Sequence, residues 1–253
     1  YTLSLHDALP ILEYNIWRAP TDNDAGMLHE WRSAGYDRAS ARAYETVISF
    51  DGECAVISSK VKMMALFKQP FLEIEAVWTI FPDGTIKGAF NVEKDKKFPY
   101  LPRFGLRLFL PKEMENVEYF GLGPGDNYPD KRRSSYVDMF LSTVKAMHED
   151  YIRPQENGSH GECTYTMLSS ADFGLIAFNE SQKFSFSASP YTQEELSSKR
   201  HNFELSESPF NVLCLDYKIS GVGSCICGPE LIEKYRLNDD RFYFEIFLKP
   251  FSC

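Results

Sequence analysis

The chain has 253 residues, 43% of them hydrophobic and 25% charged, with a net charge of −9. That length suits one large domain or two small ones, and the acidic balance argues against a nucleic acid or an anionic membrane as partner, since both need a basic face. No apolar run reaches the length of a membrane span. The 20 Phe and 14 Tyr favour strands around a large core. Six Cys, at 54, 163, 214, 225, 227 and 253, are scattered through a chain too long to need stapling. Reduced thiols in a cytoplasmic protein are therefore expected. The sequons at Asn157 and Asn179 would matter only in a secreted protein.

Tyr1 to Ile11 stands apart from the rest of the chain. It lacks the basic start and the apolar run of a signal peptide, and Ser4 to Pro10 reads like translated sequencing-adaptor sequence. We read residues 1–11 as a non-native leader, expected to be poorly ordered, and residues 12–253 as the domain. Next comes Arg18-Ala19-Pro20-Thr21-Asp22-Asn23-Asp24, ending at Gly26. Three short oxygen-bearing side chains behind a Pro suit Asx-turns, a helix cap or a polar network with Arg18. They are also hard ligands for a divalent cation, although consecutive residues rarely converge on one ion.

His29 to Ala43 reads as a helix with a break near Gly35, and Tyr44 to Phe50 as a strand. Leu72, Ile74, Ala76, Trp78 and Ile80 alternate with Glu73, Glu75 and Thr79. After the turn Pro82-Asp83-Gly84-Thr85 the alternation resumes at Ile86, Gly88, Phe90 and Val92, giving a hairpin with one wet face. Phe104, Leu106, Leu108 and Leu110 line one side of a further strand. Its other side carries Arg103 and Arg107, which the pattern makes solvent-face charges. Thr164 to Leu168, Leu175 to Asn179 and Phe184 to Ala188 read as strands. Thr192-Gln193-Glu194-Glu195 is a capping box that starts a short helix. Val212 to Ile219 is an inner strand, and Phe242 to Leu248 alternates as a last one. Many short strands, one or two short helices and no βαβ rhythm predict an all-β sandwich.

Between these elements lies Tyr119 to Cys163. Gly121-Leu122-Gly123-Pro124-Gly125-Asp126-Asn127-Tyr128-Pro129 holds three Gly and two Pro, a density that argues against helix or central strand. Its aromatic residues argue against a solvated linker. An ordered, packed loop is expected, serving either recognition or a plain crossing between sheets. Lys131-Arg132-Arg133 reads as a solvated turn.

Gly121-Leu122-Gly123-Pro124 with Asn127-Tyr128-Pro129-Asp130, followed by Tyr151-Ile152-Arg153-Pro154-Gln155-Glu156-Asn157-Gly158, resembles the C-terminal domain of family-two β-galactosidases, a separate small chain in some bacteria. The resemblance extends from Leu12 to about Lys249. It implies a large two-sheet supersandwich of galactose-mutarotase-like architecture. It also implies that both catalytic glutamates lie in a separate barrel domain or large subunit. That barrel would carry the Mg²⁺ and Na⁺ of the full enzyme, this chain holding no cofactor, and the completed enzyme would be an oligomer hydrolysing β-galactosides such as lactose. Retaining hydrolysis needs two carboxylates about 5 Å apart, and no motif here singles out such a pair. The chain alone is therefore expected to be inactive.

The same resemblance places Asp22, Asn23, Asp24 and Gly26 at the rim of the shared substrate pocket. It puts Cys227, in Gly221 to Pro229, where relatives often carry a sugar-stacking Trp. A Cys offers no stacking plane. Zinc at Cys225 and Cys227 would need further convergent ligands. Two other functions stay open: a lectin-like sandwich that binds galactosides without turnover, and a mutarotase-like aldose epimerase. For the latter, His148, His160 and Glu156 are the available acid and base groups.

Overall fold

The computed structural model describes residues 12–223 and 228–252. The expectations for the leader at 1–11 and for Cys225 and Cys227 fall outside the described residues. The strands form two antiparallel sheets. The smaller runs, in spatial order, β1 (Leu12–Asn15), β6 (Arg103–Pro111), β13 (Phe210–Ile219), β12 (Phe184–Ser189), β9 (Ser159–Cys163). The larger runs β2 (Ala39–Asp51), β3 (Cys54–Ala65), β4 (Leu72–Ile80), β5 (Ile86–Lys94), β14 (Arg241–Ser252), β11 (Phe173–Phe178), β10 (Tyr165–Ser169), β7 (Asn116–Gly123), β8 (Tyr136–Thr143).

The two sheets enclose one core. Alternation in each strand sends one set of side chains inward. Phe104 of β6 meets Phe242 of β14 edge-to-face at 5.0 Å, and Phe186 of β12 meets Tyr119 of β7 at the same distance. The expected hairpin is present, with Ile80 paired to Ile86 across its turn. Of the expected Thr192 capping box only the cap forms: the Thr192 side chain accepts from the Glu195 N–H and opens α2 (Gln193–Ser198), while the Glu195 carboxylate accepts from the Ser206 N–H instead of closing the box.

Two local expectations are corrected. The helix expected over His29 to Ala43 is only α1 (Leu28–Ala34). It stops at Gly35, whose φ of +86° suits Gly and lets its N–H cap Trp31 and Arg32. A Cβ there would lie 2.5 Å from that of Ala65. Ala39 to Ala43, helix-forming in composition, instead pairs with Ala65 to Val61, because a ladder partner outweighs a few tenths of a kcal/mol of propensity. Likewise, Tyr119 to Gly123 is strand: all five residues pair with β8, and Tyr119 and Phe120 pair with β10 as well. Its Gly121 is in tight contact with Cys163, whose sulfur would lie 2.3 Å from an added Cβ. The glycine marks a close approach rather than a loop.

The core makes a direct stability prediction. Phe244→Ala, at a fully buried site, lowers unfolding free energy by about 3–5 kcal/mol in urea titration. Phe203→Ala, 81% exposed, changes it by about 0.5 kcal/mol or less.

Candidate functional site at a buried arginine network

Three segments far apart in sequence meet at one end of the smaller sheet. Arg18 follows β1 and is fully buried. Its Nε and Nη2 donate to Asp24 at 3.1 and 2.6 Å, and its Nη1 and Nη2 donate to the carbonyls of Ser220 and Gly221 at 2.6 and 3.0 Å. Asp24 also accepts from the Thr21 N–H at 2.9 Å, closing the 3₁₀ turn Asp22–Gly26. Burial opposes the Arg18 charge, but Asp24 beside it raises its pKa on balance.

The other residues expected at the rim reach other elements. Asn23 Nδ2 donates to the Gly223 carbonyl at 2.7 Å. Asp22 accepts from Arg153 at 3.0 Å, and its N–H donates to Gln155. The Glu156 N–H donates to the Ala19 carbonyl at 2.9 Å. Asp22, Asn23 and Asp24 thus face three separate partners and perform turn and clamp chemistry. Asp130, directly after the Gly-rich stretch, accepts from the Val222 and Gly223 N–H groups at 3.0 and 2.7 Å. The stretch Gly221–Gly223 is therefore held by Arg18, Asn23 and Asp130 together. Gly26, at the end of the 3₁₀ turn, is exposed beside this clamp.

A second guanidinium lies behind the first. Arg103 donates to both oxygens of Asp216, to both of Glu156 at 3.2 and 3.3 Å, and to Ser187 Oγ. This corrects the expectation of a solvent-face charge: Arg103 is 1% exposed and Asp216 is fully buried. The segment after Arg153 covers that face of the sheet and brings Glu156 with it. Arg107 is likewise covered, by Glu13, Gln193 and Glu194 near the start of α2. Burial raises the carboxyl pKa of Glu156 and Asp216, with Arg103 opposing. The Tyr128 hydroxyl is buried without a hydrogen-bond partner, and burial drives its pKa up.

Each candidate for acid–base chemistry is engaged by a different partner. Glu156 belongs to Arg103. His160 Nδ1 lies 3.0 Å from the Tyr119 hydroxyl and 3.2 Å from the Leu122 carbonyl, and its ring stacks on Phe186. His148 packs on Tyr191. A cleft of ≈ 610 Å³ opens between Asn127–Pro129, Tyr217 and Tyr235.

The family model described as "Beta galactosidase small chain" matches residues 3–248. The chain belongs to the β-galactosidase small-chain family. A β-galactosidase of Actinobacillus pleuropneumoniae is 45% identical over 91% of this chain, and one of Staphylococcus xylosus is 39% identical over 93%. The chain spans only 22% and 24% of those two proteins. Among solved structures, a galactose 1-epimerase from Lactobacillus acidophilus covers 82% of this chain and 66% of its own, at TM-score 0.49 and 11% identity.

Sequence reasoning singled out Asp22–Asp24 but not Asp130, Arg103 or Asp216. The signal for Asp130 was its place directly after Asn127-Tyr128-Pro129. The partners of Arg103 lie 53 and 113 residues away and carry no local signal.

The buried charges make two predictions. Arg103→Ala strands two buried carboxylates and costs about 3–5 kcal/mol in urea titration. Burial lowers the His160 pKa to about 4, so the folded state keeps it neutral while the unfolded chain protonates near 6.5. Stability is lost as pH falls through that window, by on the order of 3 kcal/mol. His160→Gln flattens this part of the stability–pH curve.

Proposed function

We propose that this chain forms the wall of a β-galactosidase active site whose bond-cleaving carboxylates lie in the part of the enzyme that the chain does not span. The observation that carries the reading is the convergence of Arg18, Asn23 and Asp130 on Gly221–Gly223. That stretch leads directly into the segment carrying Cys227. Coverage of about a quarter of two β-galactosidases supports a domain that works beside a larger one.

In this reading Asp22, Asn23, Asp24, Gly26 and Cys227 stand at the pocket rim, and the substrate is a terminal β-D-galactoside such as lactose. The chain's role is positional. Buried charges fix the backbone that faces the sugar, and binding energy at such a rim orients substrate. Glu156 and Asp216 are each held by Arg103 inside the core, which suits structure rather than catalysis. Mg²⁺ and Na⁺ of the assembled enzyme belong to the catalytic barrel, since the oxygen-rich turn here is committed to protein partners. Cys163 and Cys214 are free and buried, consistent with a reducing, cytoplasmic setting. No helix among the described residues is long and apolar enough to cross a membrane. The complete enzyme is proposed to be an oligomer.

The test is a chimera in which this chain replaces the matching part of the Actinobacillus pleuropneumoniae β-galactosidase. The chimera hydrolyses a chromogenic galactoside and lactose, and the isolated chain does not. Turnover by the isolated chain overturns the reading. Within the chimera, Cys227→Trp changes acceptor affinity or the share of transglycosylation. Identical values for both remove Cys227 from the rim.

A further inference from the structure

The larger sheet has a core face and an outer face, and the outer face is unevenly composed. Directly paired residues in an antiparallel ladder share a face. Tyr119, Thr166 and Ala177 point to the core, so Phe120, Tyr165 and Phe178 point outward. The ladders place Met139, Phe120, Tyr165, Phe178 and Phe247 in one row across β8, β7, β10, β11 and β14. Leu122 and Val137, paired to each other, extend it on one side, and Met167 and Ile176 do so on the other. Leu141 is 73% exposed, Met139 55% and Val137 50%. The row ends at Lys87, whose ammonium lies 5.1 Å from the Phe247 ring and pairs with Glu245. Beyond it, Glu75 and Lys60 face solvent. Glu118 stands among the apolar residues, between Leu141 and Met167, and its carboxylate accepts from the Tyr165 hydroxyl at 2.8 Å. An exposed apolar field of this extent marks an interaction surface.

The β8 edge itself is open. It carries neither Pro nor Lys, has a single charge at Asp138, and runs in unbroken register with β7. The opposite edge, β2, is blunted by a register shift after Tyr44 and by the Glu45–Lys60 pair.

We infer that the β8 end of this outer face is the docking surface for the rest of a β-galactosidase, the larger portion that this chain lacks. The inference rests on the proposed function and names its interface. Two observations select that occupant. The relatives carry the counterpart of this chain within much longer polypeptides, of which 22% and 24% are matched. In addition, the β7–β8 connection carries Asp130, which holds Val222 and Gly223. A body seated on β7 and β8 therefore lies continuous with the rim that its active site needs.

Met139 supplies a built-in probe, as the one exposed methionine among the described residues. The isolated chain and the chimera are treated with dilute hydrogen peroxide, and Met139 sulfoxide is followed by peptide mass spectrometry. Oxidation tracks exposure, so Met139 reacts readily in the isolated chain and at least ~10-fold more slowly in the chimera. Leu141→Lys in the chimera restores fast oxidation. Equal rates in an active chimera overturn the docking surface and leave the rim reading intact. A protected Met139 in an inactive chimera supports the docking surface and counts against the rim. An isolated chain that is dimeric by light scattering, with Met139 already protected, makes a second copy the occupant and overturns the inference.

Discussion

Arg103 keeps its proton under all ordinary conditions and has no route to water. Everything at this end of the sheet depends on satisfying it. A guanidinium taken out of water costs several kcal/mol unless carboxylates meet it with good geometry. Asp216 on the neighbouring strand supplies one, and Glu156 on the covering segment supplies the other. The covering segment is therefore required by the sheet beneath it. Arg18 repeats the device one layer outward, with Asp24 as its carboxylate and two backbone carbonyls as the remaining acceptors.

This cluster holds three carboxylates, Asp24, Glu156 and Asp216, against two guanidiniums. Burial raises the pKa of Glu156 and Asp216, and for Glu156 the neighbouring carboxylates Asp216 and Asp24 add to the rise. Replacing such a network with apolar side chains is often neutral or stabilising, so stability alone does not account for it. Placement does. Each guanidinium offers a rigid fork of donors: that of Arg18 sets the Ser220 and Gly221 carbonyls, and that of Arg103 ties Asp216 to Glu156 on the covering segment. A wall facing another domain's reaction centre requires a backbone set in that way. In the proposed assembly, the apolar row on the outer face of the larger sheet meets the matching requirement, a surface that seats the other domain.

The fold is readable from sequence where alternation is strict. The hairpin from Leu72 to Lys94 and the last strand come directly from period two, and Thr192 announces α2 through local capping chemistry. The errors have one cause, which is that ladder partners and covering segments are not local. Ala39 to Ala43 is strand because Val61 to Ala65 lies beside it. Gly121 reads as a loop former until Cys163 is placed against it. Arg103 reads as solvated until Glu156 covers it. The site is legible as a set of motifs, and proximity in sequence anticipates the Arg18–Asp24 pairing. The clamp by Asp130 is not legible, because its partners are backbone N–H groups some ninety residues on, which no side-chain pattern reports.

The half-buried Asp130 and the buried Arg18 fix the Gly221–Gly223 backbone, and the proposed wall rests on that constraint. Amide hydrogen exchange at Val222 and Gly223 tests it most directly, comparing the parent chain with Asp130→Asn. The account predicts slow exchange in the parent, and at least ~10-fold faster exchange in the variant while the Phe244 amide in the core stays unchanged. Equal exchange at Val222 and Gly223 in both proteins would contradict it.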